Sequence, residues 1–143
     1  FVSRSYYPEN KMKYKNPPIS KNIICFESQV NWNEPIILCE GVFDAITIKR
    51  NAIPLLGKFP SRNLVEKIFM SGVSDIIISL DNDAINEALK AAEYFRKQGI
   101  NVKMMYMEDK DASEIGYKKF YEQLKKTKEF SSEELLLNKI NSL

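Results

Sequence analysis

Four short apolar runs follow one another through the middle of the chain, and each has the length of a buried strand. The first run, Ile36–Cys39, contains no polar residue, which is typical of a strand in a parallel sheet that is covered on both faces. Similar runs predict further strands at Ala52–Leu56, Asp75–Leu80 and Val102–Met107. We therefore expect a sheet of mostly parallel strands.

Helical patterns separate and follow these runs. The clearest is Ala84–Gln98, where apolar residues recur on one face and Gly99 supplies a stop. Ser61 is placed to cap a helix that stops at Gly72. The predicted helices are Val42–Arg50, Asn63–Met70, Ala84–Gln98, Tyr117–Lys126 and Glu133–Ile140. Alternation of strands and helices through short connections predicts an α/β fold with right-handed crossovers and flanking helices.

Composition and charge divide the chain into three parts. Residues 1–33 are rich in Tyr, Asn, Pro and Lys, which predicts a small irregular or α+β extension, and they carry +3 (five basic minus two acidic residues). Residues 34–116 contain the strand–helix alternation and carry −3 (ten minus thirteen), and residues 117–143 form a helical extension that carries +2 (six minus four). An acidic centre with basic flanks could hold cations and approach a polyanion. Because the sequence begins with Phe1, we expect it to be part of a longer polypeptide.

Several classes of chemistry are excluded by composition. The sequence contains no histidine, which excludes His-based acid–base catalysis, Ser-His-Asp triads and His-containing zinc sites. The two cysteines, Cys25 and Cys39, provide no disulfide framework and fit a reducing cytoplasm. Since no stretch of about 18 apolar residues occurs, we expect neither a membrane span nor a membrane partner.

Carboxylates follow three of the four predicted strands. They are Glu40 after the first strand, Asp81 and Asp83 after the third, and Asp109, Asp111 and Glu114 after the fourth. Because parallel strands end on the same side of a sheet, where ligands bind in open α/β folds, these acids should converge. Converging carboxylates repel one another unless a cation lies among them, and Mg²⁺ prefers oxygen ligands. Carboxylate-bound Mg²⁺ serves nucleotidyl and phosphoryl transfer.

Each acid also has a structural interpretation. Asp83 could be the N-cap of the helix that follows it, and Asp111 or Ser113 could cap a turn. Asp44 could be a surface acid in the first turn of a helix. Glu40 is harder to explain in this way, because it ends a buried run and precedes a glycine.

An ordered set of short motifs resembles the Toprim domain. The set is Glu40-Gly41-x-x-Asp44-Ala45, then Leu56-Gly57, then Asp81-x-Asp83, with Asp81 lying 41 residues after Glu40 (81 − 40). Toprim domains are shared by bacterial-type DNA primases, type IA and II topoisomerases, and some nucleases and recombination proteins.

Two further segments are similar to primases in particular. Lys110-Asp111-Ala112-Ser113-Glu114 resembles the primase KDPxD segment, with Ala112 in place of proline and Glu114 in place of the last acid. Arg4 and the stretch Lys13-Tyr14-Lys15-Asn16-Pro17-Pro18 resemble the subdomain that precedes Toprim in primases. Over about residues 1–120 the chain therefore resembles a phage-encoded or divergent primase, with residues 1–33 ending the preceding subdomain and residues 34–116 forming the Toprim domain.

This resemblance implies a catalytic site. Glu40 would be the essential acid, either as a metal ligand or as the base that readies a 3′-hydroxyl. Asp81 and Asp83 would act with it and, together with Asp111, bind Mg²⁺ or Mn²⁺. The outer acids would be Asp44 and Glu114. The nucleotide phosphates or the template would be contacted by Arg4, Lys13, Lys15 and Lys58, and Gly57 would allow a close backbone turn beside the site.

The implied activity is metal-dependent synthesis of short RNA primers from ribonucleoside triphosphates on a single-stranded DNA template. A replicative helicase would be a further partner, and the location would be the cytoplasm, or the host cytoplasm for a phage protein. Two alternatives stay open. One is phosphodiester cleavage by a Toprim nuclease or topoisomerase, and the other is a non-catalytic nucleic-acid-binding Toprim module.

Overall fold

The computed structural model describes residues 3–7, 9, 11–12, 14–15, 18, 20–57, 59–81, 84–107, 111–131 and 133, with Arg4 and Tyr14 described by their backbone alone. In chain order the strands and helices are β1 (Ser3–Arg4), β2 (Tyr14–Lys15), β3 (Ile36–Cys39), α1 (Val42–Ile48), β4 (Ala52–Pro54), α2 (Arg62–Met70), β5 (Asp75–Ser79), α3 (Ile85–Lys97), β6 (Asn101–Met104) and α4 (Ala112–Leu124).

The central sheet has the strand order β4-β3-β5-β6, and all of its pairings are parallel. β3 and β5 are the central neighbours, with Cys39 opposite Ser79 in their register. The predicted α/β fold with a parallel sheet is confirmed, and each strand overlaps its predicted run, although three of the four end earlier than predicted.

Side chains of the central strands alternate between two apolar layers, because successive residues of a strand face opposite sides of a sheet. Ile36 and Leu38 pack with residues of α2 and α3, whereas Ile37 and Cys39 pack with residues of α1 and α4. All four side chains are at most 4% exposed. Coverage on both faces is the physical reason for the uninterrupted apolar run of β3.

The connections leave β3 and β5 in opposite directions. From β3 the chain passes through α1 to β4 on one side, and from β5 it passes through α3 to β6 on the other. α1 and α3 also cover opposite faces of the sheet. The strand order therefore reverses between β3 and β5, and ligands of open α/β sheets bind in the crevice beyond the carboxyl ends of strands at such a reversal.

The boundaries of α2 and α3 follow signals in the sequence. Leu64 N donates a hydrogen bond to Ser61 Oγ at 3.3 Å, which confirms the predicted cap of α2. Gly72 and Gly99 follow the two helices with φ of 68° and 85°. This left-handed conformation favours glycine at helix ends.

α4 differs from its prediction. It begins at Ala112 rather than Tyr117, and it is kinked at Gly116, where φ is 79° and ψ is 165°. The glycine interrupts the helical pattern, so the sequence indicated a capped turn at Asp111 or Ser113 but not its continuity with the helix predicted from Tyr117. The further helix predicted at Glu133–Ile140 lies outside the described residues, apart from position 133.

Amide side chains attach the segment before β3 to the sheet domain. Asn51 Oδ1 accepts a hydrogen bond from Asn31 N at 2.8 Å, and Asn51 Nδ2 donates to Asn31 O at 2.8 Å. Trp32 packs against the core, and Lys67 Nζ lies 5.5 Å from the centre of its ring. No helix within the described part of the chain has the length and apolar character that crossing a membrane requires.

Candidate active site

Two of the predicted carboxylates lie directly beyond the central strands, where the strand order reverses. Glu40 follows Cys39 at the end of β3, and Asp81 is the second residue after Ser79 at the end of β5. Because Cys39 and Ser79 are register partners, both acids leave the same edge of the sheet on neighbouring strands. The structure thus places Glu40 and Asp81 where the sequence predicts them, while their catalytic role stays a prediction. Asp83 lies outside the described residues.

Glu40 is half-buried, and its Oε2 atom is shielded from solvent. The backbone that leaves β4 passes beside it, because Leu55 N donates to Cys39 O at 2.8 Å and Leu56 N donates to Glu40 O at 3.2 Å. Leu56 adopts a φ of 55°, which is unusual for a branched side chain. A Cβ added at Gly57 would meet no described atom within 4 Å. The resemblance assigned the close backbone turn to Gly57, but the positive φ falls on Leu56 instead.

Asp44 joins the first turn of α1 to the first turn of α4. Its Oδ2 accepts a hydrogen bond from Gly41 N at 3.0 Å, and its Oδ1 accepts one from Ser113 N at 3.0 Å. The residue is only 8% exposed, so the interpretation as a surface acid is wrong. Burial raises the pKa of Asp44, the hydrogen bonds from Ser113 and Gly41 oppose this rise, and the charge of Asp111 adds to it.

Asp111 is the N-cap of α4. This agrees with its structural interpretation as a capping residue, whereas its predicted role as a metal ligand stays a prediction. Its Oδ1 accepts hydrogen bonds from Glu114 N at 2.9 Å and from Ser113 Oγ at 2.7 Å. Ser113 links the two carboxylates, because its N–H donates to Asp44 Oδ1 and its hydroxyl donates to Asp111 Oδ1. Glu114 lies exposed in the first turn of α4, where the helix dipole favours a negative charge.

The buried thiol of Cys39 lies among these acids. Burial raises the pKa of Cys39 well above its usual range, and the charges of Asp44 and Asp81 raise it further. The thiol is free, as expected, and only 1% exposed.

The predicted basic residues are only partly described. Lys15 lies exposed in β2, and Arg4 lies in β1, where its backbone pairs with Tyr14. Lys13 and Lys58 fall outside the described residues. Contacts of these side chains with nucleotide or template stay a prediction.

Glu40 and Asp81 supply carboxylate oxygens at the strand reversal, the donor type that a hard divalent cation prefers. Within the ranges that the structure describes, no group of three or more Asp, Glu, Cys or His side chains could hold a metal ion. Glu40 and Asp81 supply oxygen donors from neighbouring strand ends, and Mg²⁺ is usually held by one or two carboxylates together with waters and substrate phosphates. Mg²⁺ or Mn²⁺ stays the predicted ion at this edge, with Asp83 as a further predicted ligand.

Sequence reasoning missed the part played by Ser113 and by the backbone amides of the two helices. One signal was present, because Asp44 is the third helical residue after the N-cap Gly41, the position that an acid occupies in a capping box. The contact between Ser113 and Asp44 spans 69 positions and has no local signal. It depends on the packing of α4 against α1.

No protein-family model matches the chain, and no curated protein matches it significantly in sequence. Solved structures do match its fold. The E. coli primase catalytic core is 19% identical, with a TM-score of 0.72 over 97% of this chain and 50% of that one. The DnaG primase catalytic domain bound to ssDNA is 19% identical, with a TM-score of 0.74 over 97% and 50%. The Aquifex aeolicus primase, with zinc-binding and RNA polymerase domains, is 19% identical, with a TM-score of 0.64 over 90% and 37%.

These matches define the fold class. The chain has the fold of the part of these primase structures that it matches, and the predicted α/β architecture with a parallel sheet and flanking helices is confirmed. It spans half or less of the length of these solved chains.

Proposed function

We propose that this chain is the catalytic Toprim part of a DNA primase, which synthesises short RNA primers on a single-stranded DNA template with Mg²⁺ or Mn²⁺. The observation that carries the proposal is the position of Glu40 and Asp81 beyond neighbouring strands, at the strand-order reversal of a primase-like fold. A shared fold does not by itself imply a shared function, so the support comes from the acids at the site.

The residues at the strand ends have distinct parts in this proposal. Glu40, Asp81, Asp83 and Asp111 would hold the metal, which neutralises phosphate charge and lowers the pKa of an attacking hydroxyl when it is bound. The carboxylate of Glu40 either ligates the metal or accepts the proton of the primer 3′-hydroxyl. Because its Oε2 atom is shielded from solvent, its charge acts on a neighbouring cation more strongly than an exposed carboxylate would.

The basic N-terminal part of the chain is assigned to the template and to the nucleotide phosphates. Residues 1–33 carry +3, and Lys15 is exposed. Tyr6 and Tyr7 are 94% and 66% exposed, so their rings are available to stack on unpaired bases. The solved primase domain bound to ssDNA supports a single-stranded partner. Arg4, Lys13 and Lys58 are the further predicted phosphate contacts, and a replicative helicase stays a predicted partner.

A primer-synthesis assay on the full natural polypeptide tests the proposal. Single-stranded DNA, ribonucleoside triphosphates and Mg²⁺ or Mn²⁺ should yield short RNA, and omission of the metal should abolish the products. Glu40→Gln and Asp81→Asn should each lower the rate roughly a thousandfold, because metal assistance contributes several kcal/mol to such reactions. Matched controls are Glu66→Gln on the exposed side of α2 and Asp75→Asn at the start of β5, the opposite edge of the sheet.

Other outcomes identify the alternatives. Nicked DNA without RNA synthesis would assign the chain to the Toprim nucleases or topoisomerases. Binding of DNA without either reaction would assign it to the non-catalytic modules. Wild-type activity in Glu40→Gln would contradict the proposed role of that residue.

A further inference from the structure

We propose that Asp44 is a positioning residue of this site rather than a metal ligand. Its carboxylate clamps the end of β3 to the start of α4 and thereby fixes Glu40 relative to Asp111. This inference rests on the proposed function, because it takes Glu40 and Asp111 to serve one metal and nucleotide site.

The hydrogen bonds of Asp44 leave it poorly suited to ligate a metal. Each carboxylate oxygen accepts a backbone N–H at 3.0 Å, one from Gly41 and one from Ser113. Gly41 is the N-cap of α1 and Ser113 lies in the first turn of α4, and the dipole at such helix starts favours a negative charge. With 8% of its surface exposed, the residue presents little of the carboxylate to the waters and phosphates that accompany Mg²⁺.

Gly41 is adapted to the same contact. A Cβ at this position would lie 2.9 Å from Asp44 Oδ2, closer than real Cβ contacts. The backbone of Gly41 has φ −114° and ψ 161°, an extended conformation that any residue adopts. A Cβ at Gly41 would therefore push the Asp44 carboxylate out of its present position, whereas the backbone angles of Gly41 would accept any residue.

Ser113 connects Asp44 to Asp111. Its N–H donates to Asp44 Oδ1, and its hydroxyl donates to Asp111 Oδ1 at 2.7 Å. The two helices are held together below this contact, because Ile48 and Phe120 share one apolar cluster and Tyr121 O–H donates to Ile48 O at 3.2 Å. A displacement of Asp44 should therefore be transmitted to Asp111.

Two variants separate positioning from ligation in the full natural polypeptide. Asp44→Asn replaces one accepting oxygen by an NH₂ group that faces a backbone N–H. Gly41→Ala keeps every carboxylate, and its added methyl group would meet the Asp44 carboxylate and no other described atom within 4 Å outside its chain neighbours. We expect each variant to weaken Mn²⁺ binding about tenfold or more, as is typical when a residue that orients metal ligands is changed. The affinity is measured from the electron paramagnetic resonance signal of free Mn²⁺, without nucleotide, and urea unfolding verifies that each variant is folded.

The matched control is Asp75→Asn, which makes the same change of charge at the other end of β5 and should leave Mn²⁺ affinity unchanged. Ser113→Ala keeps the hydrogen bond from the backbone N–H to Asp44 but removes the hydrogen bond from the hydroxyl to Asp111. It should therefore give a smaller loss of Mn²⁺ affinity. If folded Gly41→Ala binds Mn²⁺ like the wild type, the positioning role is overturned, whatever Asp44→Asn does. If the wild type binds no Mn²⁺, the proposed function and this inference fail together.

Discussion

The two helical layers pack on the same strands but carry different chemistry. The layer formed by α2 and α3 meets apolar strand residues such as Leu38, and α2 is capped by the neutral side chain of Ser61. The layer formed by α1 and α4 adjoins Cys39, the buried carboxylate of Asp44 and the capping carboxylate of Asp111. Burying a charge destabilises a fold unless hydrogen bonds compensate. The hydrogen-bonded acids lie in the α1–α4 layer, so the α2–α3 layer can stabilise the fold by packing apolar side chains against the sheet.

A pair of core variants tests this division with the largest expected effect. Phe95 in α3 and Phe120 in α4 are both 0% exposed. Phe95→Ala and Phe120→Ala should each lower the free energy of unfolding by about 3–5 kcal/mol, because each leaves a cavity in the core. Phe120→Ala should weaken Mn²⁺ binding more than Phe95→Ala does, because α4 carries both Asp111 and the contact of Ser113 with Asp44, whereas α3 follows Asp81 alone among the described ligands. Urea unfolding and Mn²⁺ titration below both unfolding transitions measure the two effects, and an equal loss of Mn²⁺ affinity would contradict the division.

The two helix caps sharpen the comparison at a smaller scale. Ser61→Ala should lower the free energy of unfolding by about 1 kcal/mol and leave Mn²⁺ affinity unchanged. Asp111→Asn should largely preserve stability, because Asn caps helices about as well as Asp, but it should weaken Mn²⁺ binding through the lost charge. Urea unfolding and Mn²⁺ titration measure the two effects. If Asp111→Asn lowered the free energy of unfolding and left Mn²⁺ affinity unchanged, as Ser61→Ala should, the proposed difference between the two caps would be refuted.

The smallest expected effect is a pH dependence that belongs to the α1–α4 layer. The pKa of Asp44 is raised above its ordinary value of 3.8, so the folded protein binds this proton more readily than the unfolded chain. The contribution of Asp44 to stability should therefore fall as the pH rises from about 3.8 to the raised pKa, and it should be constant above that interval. Urea unfolding over this range should show wild type losing stability relative to Asp44→Asn, and a slope of opposite sign would refute the shift.

Local sequence was sufficient for the features that depend on neighbouring residues. Apolar runs of strand length located the four strands of the sheet, because a strand buried on both faces excludes polar side chains. Ser61 and Gly99 marked helix ends through requirements that act within one turn. Glu40 and Asp81 could be assigned to one edge because parallel strands share a direction, which alternation with helices had already indicated.

The tertiary structure alone decided how the acids are used. Asp44 looks like a surface acid in sequence, and it is buried because α4, beginning 68 residues later (112 − 44), packs over α1. The pairing of Asp44 with Ser113 and the positive φ of Leu56, whose N–H bonds to Glu40 O, both depend on which elements become neighbours. A hydrophobic pattern specifies which face of an element must be covered, but the element that covers it is determined only when distant parts of the chain pack together.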